Sequence, residues 1–127
     1  MKYKALILDI DGTTVLNKSD GIPSPRVIEA INKAKNLVFV CFATSRPLFM
    51  ALAIFDQLKP NGLCAITDSS QIYDPVARQV LETYYLQSDI IPYVYRVFKK
   101  HGVSEAIIND GREDRTYTGG QVKNELC

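Results

Sequence analysis

Asp9 and Asp11 flank Ile10 at the end of a short apolar run, and Gly12 and Thr13 follow them. On a regular strand, side chains two residues apart point the same way. Where the strand breaks, the two carboxylates can diverge around one site. Like charges that close are unfavourable unless a cation or a proton intervenes. Magnesium binds one or two carboxylates, keeps several waters and takes substrate phosphate as a further ligand. The pair therefore suits magnesium-assisted phosphoryl transfer. Asp9 is the candidate nucleophile, its repulsion with the phosphate offset by the cation. Asp11 is the candidate acid for the leaving oxygen and later the base for water. Gly12 can bring its backbone N–H close to phosphoryl oxygens. A second polar cluster, Thr44-Ser45-Arg46, ends a second apolar run. Thr44 can donate its hydroxyl to phosphate, and the helix that follows adds N–H groups and the positive end of its dipole. Ser45 is a further polar donor. Arg46 reaches the substrate or pairs with a surface acid.

These clusters act together only if the fold brings two strand ends side by side. Residues 3–9 suit a strand buried on both faces. Residues 12–23 are polar, with Asp20-Gly21 as a turn signal. Ser24 is a good N-cap, with Pro25 at the first helical position. Val27, Ile28, Ile31 and Ala34 share a face at helical spacing, and Asn36 is a stop. Leu37 to Ala43 reads as a second buried strand. A helix beginning around Pro47 runs to the Lys59-Pro60-Asn61-Gly62 break, and Leu63 to Thr67 is a third strand. Strand-helix-strand-helix-strand with short links predicts a doubly wound α/β domain with a parallel sheet. In such sheets ligands bind outside the carboxyl ends of the strands, which is where both clusters fall.

The pattern then changes. Gln71 to Pro75 and Val80 to Leu86 read as a hairpin. Ser88 caps a helix whose apolar side carries Ile90, Ile91, Val94, Val97 and Phe98. Gly102 ends it after Lys99, Lys100 and His101, cations suited to a helix C-terminus. Ala106–Asn109 and Arg115–Thr118 are short strand candidates. A domain boundary is expected near residues 80–88, giving units of 1–80 and 81–127.

The motif Asp9-Ile10-Asp11-Gly12-Thr13 resembles the first motif of the haloacid dehalogenase (HAD) superfamily of phosphatases, Asp-x-Asp-Gly-Thr after an apolar strand. Ala43-Thr44-Ser45-Arg46-Pro47 is similar to the Ala-Thr-Gly-Arg-Pro of its Cof-like subgroup, with Ser45 in place of glycine. Asp68-Ser69-Ser70-Gln71-Ile72-Tyr73-Asp74 resembles that subgroup's Asn-Gly-Ala-x-Ile-Tyr-Asp hairpin, with Asp68-Ser69 in place of Asn-Gly. The resemblance implies Asp9 as nucleophile and magnesium ligand. It implies Asp11 as general acid/base with its backbone carbonyl on the metal, and Thr44 as phosphate binder. The substrate implied is a small phosphomonoester such as a sugar phosphate, hydrolysed through an aspartyl-phosphate. Family members resume the core after an α/β cap, where they supply a lysine and an acidic metal motif. Residues 1–80 therefore read as the first half of a Rossmann-like HAD core and 81–127 as the start of the cap, with the lysine and acidic motif expected beyond Cys127. This chain alone is then a poor enzyme.

Other readings are open. Ile107-Ile108-Asn109-Asp110 with Asp114 mimics the acidic motif, which with Lys99 or Lys100 would make a short capless phosphatase. A receiver-type phospho-accepting module, or a non-catalytic remnant that binds magnesium or a partner, are the rivals from other classes. Bulk properties narrow the field further. The 127 residues carry 15 basic against 14 acidic side chains, a net charge of +1, so nothing suggests nucleic acid or a membrane surface as partner. No apolar stretch approaches a membrane span and no signal-peptide pattern opens the chain. Cys41, Cys64 and Cys127 match no metal spacing and read as reduced thiols of a cytoplasmic protein.

Overall fold

The structure, a computed structural model, describes residues 2–16, 21–87, 89–109, 114–118 and 121–123, with side chains through residue 106. Ser88, Asp110 and Cys127 lie outside the described residues. The chain forms two compact units, Met1–Thr83 and Tyr84–Cys127.

In the first unit the opening apolar run becomes strand β1 (Ala5–Leu8). Helix α1 (Pro25–Ala34) starts as its sequence dictates: Ser24 Oγ accepts the Val27 N–H at 3.3 Å, and Pro25 occupies the first turn. Strand β2 (Phe39–Phe42) returns parallel to β1, in the register Ala5↔Phe39 to Leu8↔Phe42. Helix α2 (Leu48–Leu58) buries Ala51, Ile54, Phe55 and Leu58, an i, i+3, i+4, i+7 stripe. Its Phe55 ring lies 5.7 Å from Phe42 and 5.9 Å from Tyr73, centroid to centroid. The helix ends at Lys59, which is left-handed and followed by proline. Lys35 Nζ donates to the Leu58 and Lys59 carbonyls at 3.0 and 3.1 Å, placing a cation on the negative end of α2.

Strand β3 (Cys64–Ile66) lies along β2 with an unusual ladder. One parallel bridge joins Ala43 to Ala65. Before it, side chains substitute for carbonyls: Asn61 Oδ1 accepts the Val40 N–H at 2.7 Å, and Cys64 Sγ accepts the Phe42 N–H at 3.4 Å. The Gly62 N–H donates to the Val40 carbonyl at 3.1 Å, so the 60–62 break runs directly against β2. A Cβ at Gly62 would stand 2.5 Å from Cys41 Sγ and 3.1 Å from Phe39 Cβ, so any side chain there displaces a neighbour on β2. Strands β4 (Gln71–Asp74) and β5 (Gln79–Thr83) then extend β3 as an antiparallel hairpin, as its sequence suggests.

One expectation is corrected. β1 is not buried on both faces: Ile7 is 66% and Leu6 39% exposed, and Phe39 beside them on β2 is 60% exposed. Among the described residues β1 pairs only with β2. The buried core instead collects under α2 and β2–β4, around Val40, Phe42, Phe55, Leu58 and Ile66.

The second unit holds helix α3 (Ile90–Lys100) and an antiparallel sheet of β6 (Glu105–Asn109), β7 (Asp114–Thr118) and β8 (Gln121–Lys123). Val94, Val97 and Phe98 are half-buried on α3, while Ile90 and Ile91 are exposed. Asp89 stands at the N-cap without a side-chain capping bond, and His101 at the C-cap is exposed, followed by left-handed Gly102. No helix among the described residues is long and apolar enough to cross a membrane.

Two measurements check this account. Gly62→Ala lowers the free energy of unfolding by about 1–3 kcal/mol, because Cys41 or the backbone of β2 must shift; the urea midpoint reads it. Cys41 and Cys64 are free thiols. Burial pushes the Cys64 thiol up to about 11, so the folded state holds a proton that the unfolded chain releases first. That contribution to stability is complete below the unfolded thiol pKa and is lost as pH rises toward about 11. The urea midpoint therefore falls between about pH 8 and about pH 10, and falls less in Cys64→Ala.

Candidate functional site

The β1–β2 register decides what meets what. Leu8 pairs with Phe42, and the Ala43 N–H donates to the Leu8 carbonyl at 2.9 Å. Asp9 therefore leaves its strand beside Ala43, one residue ahead of Thr44. The Thr44 N–H donates to the Ala65 carbonyl at 3.0 Å, which draws the end of β3 into the same row. Three strand ends thus converge, as the carboxyl edge of a parallel sheet requires.

After Asp9 the chain folds into a tight turn. The Ile10 carbonyl accepts the N–H groups of Thr13, Thr14 and Val15 at 3.4, 2.9 and 2.8 Å. Thr14 Oγ1 donates to the Asp9 carbonyl at 2.6 Å, and Ile10 and Val15 are buried beneath. Gly12 has φ +77°, a conformation that favours glycine. Its N–H donates to the Val15 carbonyl at 2.8 Å, so the amide expected to face phosphate is engaged inside the turn. The reason is local: the turn that exposes Asp9 closes through Gly12.

Asp9 is exposed, and one of its carboxylate oxygens accepts the Ile10 N–H at 2.7 Å. Asp11 is turned away from solvent and toward Arg46. Arg46 Nε donates to Asp11 Oδ2 at 2.8 Å and Nη2 to Oδ1 at 2.7 Å, a two-pronged pair whose side chains are only 14% and 23% exposed. Its hydrogen bonds to Asp11 hold the Arg46 guanidinium above its ordinary pKa, against a smaller opposing effect of burial. Arg46 thus pairs with an acid, and that acid is Asp11.

Thr44 is buried, and its Oγ1 accepts the Arg46 N–H at 3.2 Å, keeping its own hydrogen to donate. Ser45 is exposed beside it. Helix α2 begins at Leu48 with Pro47 at its N-cap and no side-chain capping bond; the Pro47 carbonyl accepts the Met50 and Ala51 amides. Asp9, Asp11, Gly12, Thr44, Ser45 and Arg46 are therefore gathered at neighbouring strand ends. Asp114 instead heads β7, opposite Asn109.

A third contributor, absent from the candidate site residues, is the loop after β3. Thr67, Asp68 and Ser69 are all left-handed, with φ of 53°, 52° and 66°. Its N–H on Thr67 donates to the Arg46 carbonyl at 2.9 Å, and Ser70 closes the loop on the Thr67 carbonyl. Buried Gln71 accepts from the Thr67 hydroxyl at 3.0 Å and donates to Thr83 Oγ1 at 3.3 Å. The usable signal was its position at a third strand end.

Among the described residues no three His, Cys, Asp or Glu side chains gather as a metal-holding group. Asp9 and the backbone of the following turn offer hard oxygens only. Such a sparse donor set fits magnesium, which retains several waters, better than a metal needing three or four protein ligands.

The family model of haloacid dehalogenase-like hydrolases matches residues 6–125. No curated protein matches the chain in sequence. Similar solved structures include a haloacid dehalogenase-like hydrolase from Bacteroides thetaiotaomicron, 22% identical with a TM-score of 0.70 over 93% of this chain and 45% of that one. A HAD subclass IIB sugar phosphatase is 19% identical, TM-score 0.70, over 90% of this chain and 44% of that one. A haloacid dehalogenase-like hydrolase from B. subtilis is 19% identical, TM-score 0.68, over 91% and 39% respectively. The chain thus spans less than half the length of these structures, and the likeness shows a shared fold.

The left-handed loop offers a direct check on local strain. An L-residue in that conformation costs roughly 1–2 kcal/mol, so Ser69→Gly raises the free energy of unfolding by about 1 kcal/mol, measured by urea denaturation.

Proposed function

This chain belongs to the haloacid dehalogenase-like hydrolase family, and we propose that it carries the nucleophile half of a magnesium-dependent phosphatase for a small phosphomonoester such as a sugar phosphate. The observation behind this reading is the parallel register that sets Asp9 and Asp11 beside Thr44. An Asp9 oxygen forms a bond to phosphorus as the bond to the substrate alcohol breaks. The leaving oxygen keeps the electron pair and takes a proton from Asp11. Water then attacks the aspartyl-phosphate, giving its proton to Asp11. Inorganic phosphate departs and the Asp9 carboxylate is restored. Thr44 donates its hydroxyl to a phosphate oxygen, with Ser45 and Arg46 as further donors. Asp9 and the Asp11 carbonyl are the groups that would hold magnesium, which supplies positive charge to the transferring group.

The lysine and the acidic motif of the family are not assigned in this chain. Residues 81–127 are read as the start of a cap, because β6 joins an antiparallel sheet of its own. The same pairing counts against the capless reading, in which the strand before Asp110 would have to join the parallel sheet. The exposed apolar faces of β1 are where the remaining half of a HAD core would pack. The protein is read as cytoplasmic, acting on a soluble substrate.

With p-nitrophenyl phosphate and magnesium, the 127-residue chain is expected to turn over slowly. Acid quenching should trap phosphate on the wild-type chain and none on Asp9→Asn. Asp11→Asn should slow turnover by about 10²–10⁴-fold. Trapping undiminished in Asp9→Asn removes Asp9 as nucleophile. Fast turnover that Asp9→Asn abolishes favours the capless enzyme, and a long-lived aspartyl-phosphate without turnover favours the receiver-like module.

A further inference from the structure

We propose that Arg46 is a gate on Asp11, a single guanidinium for which Asp11 and the incoming phosphate compete. The inference rests on the phosphoryl-transfer reading of this site. Both Asp11 oxygens face Arg46, one on Nε and one on Nη2. The fork occupies one acceptor site on each Asp11 oxygen, the pair of sites that face Arg46. Opening a prong releases one of those sites for proton exchange with substrate.

The surroundings favour opening by the side chain alone. The backbone of Arg46 is fixed on both sides, its N–H on Thr44 Oγ1 and its carbonyl on the Thr67 N–H. Thr44, the candidate phosphate donor, is thus anchored to the residue that carries the guanidinium. A phosphate held by Thr44 meets Arg46 at short range. Phosphate offers the same two-oxygen geometry as a carboxylate, and as a dianion it carries more charge. It can therefore compete with Asp11 for the guanidinium, loosening the fork only when substrate is bound. Arg46 is in this sense a positioning residue for Asp11. The rival is a fixed strut, in which the fork ties the turn after β1 to the end of β2 whether or not phosphate is present.

A double-mutant cycle on the 127-residue chain separates the two, with inorganic phosphate as the probe and calorimetry or NMR as the readout. Asp11→Asn removes both a negative charge and the competitor for Arg46. Charge removal alone tightens phosphate binding about equally with or without Arg46. A gate predicts an additional gain of about tenfold in the wild-type background that disappears in Arg46→Ala. Arg46→Lys, which keeps the charge without the fork, serves as a second background and should also lose most of that gain. In the wild type, phosphate should shift the Arg46 Nε–H resonance and the Asp11 carboxyl carbon together. An equal Asp11→Asn effect in all three backgrounds, or an Arg46 resonance unmoved at saturating phosphate, overturns the gate while leaving the phosphoryl site intact. Absence of phosphate binding in both the wild type and Asp11→Asn overturns the gate together with the reading beneath it.

Discussion

The parallel pairing of Leu8 with Phe42 is the constraint on which the rest of the site depends. Side chains alternate along a strand, so a slip of one residue would exchange the inward and outward faces of β1 relative to β2 and move Asp9 from its place beside Ala43. Register here is held by more than the two strands. Val40 and Phe42, buried on the inner face of β2, fit against α2 and its Phe55 ring. On the far side, Asn61 and Cys64 satisfy the Val40 and Phe42 amides. Each inward residue of β2 thus has an apolar side chain and a backbone N–H that both resist a slip. The chemistry at the strand ends inherits its precision from that core.

The covering of the sheet is uneven. Parallel strands ordinarily carry helices on both faces. Here Val40 and Phe42 are fully covered while Ile7 and Phe39 are largely exposed. Apolar residues on an open parallel strand invite pairing and coverage by further chain. The solved structures with this fold are more than twice as long as the part of them this chain matches, which is consistent with a sheet whose apolar surface exceeds what these residues cover.

Much of this was readable in the sequence because the signals were local. Ser24-Pro25 marks a helix start whatever surrounds it, and an apolar run ending in Asp-x-Asp-Gly-Thr marks a strand end. The element order through β5 follows from periodicity and breakers alone. What was not legible depended on distance or on missing local cues. Nothing near Arg46 says that its partner lies 35 residues earlier; that follows only from register. The left-handed run at Thr67-Asp68-Ser69 contains no glycine to announce it. β8 is three residues long and too short to show a period. The predicted burial of β1 failed for a related reason: an apolar run records what a strand can bury, and coverage depends on the other elements present.

The fork between Asp11 and Arg46 also shows how the fold accommodates charge at the strand ends. Three strand ends bring together two carboxylates, a guanidinium and a hydroxyl, and burying an unpaired charge among them would be costly. Pairing Asp11 with Arg46 cancels one charge of each sign at a cost that good two-pronged geometry offsets. Asp9, left outside the fork, stays exposed and hydrated. Asp9, the proposed nucleophile, is therefore the charge that solvent can support, and Asp11, the proposed acid/base, is the charge that takes a partner inside the protein. The same division ties the turn after β1 to the end of β2 through Asp11 and leaves the Asp9 carboxylate at the surface.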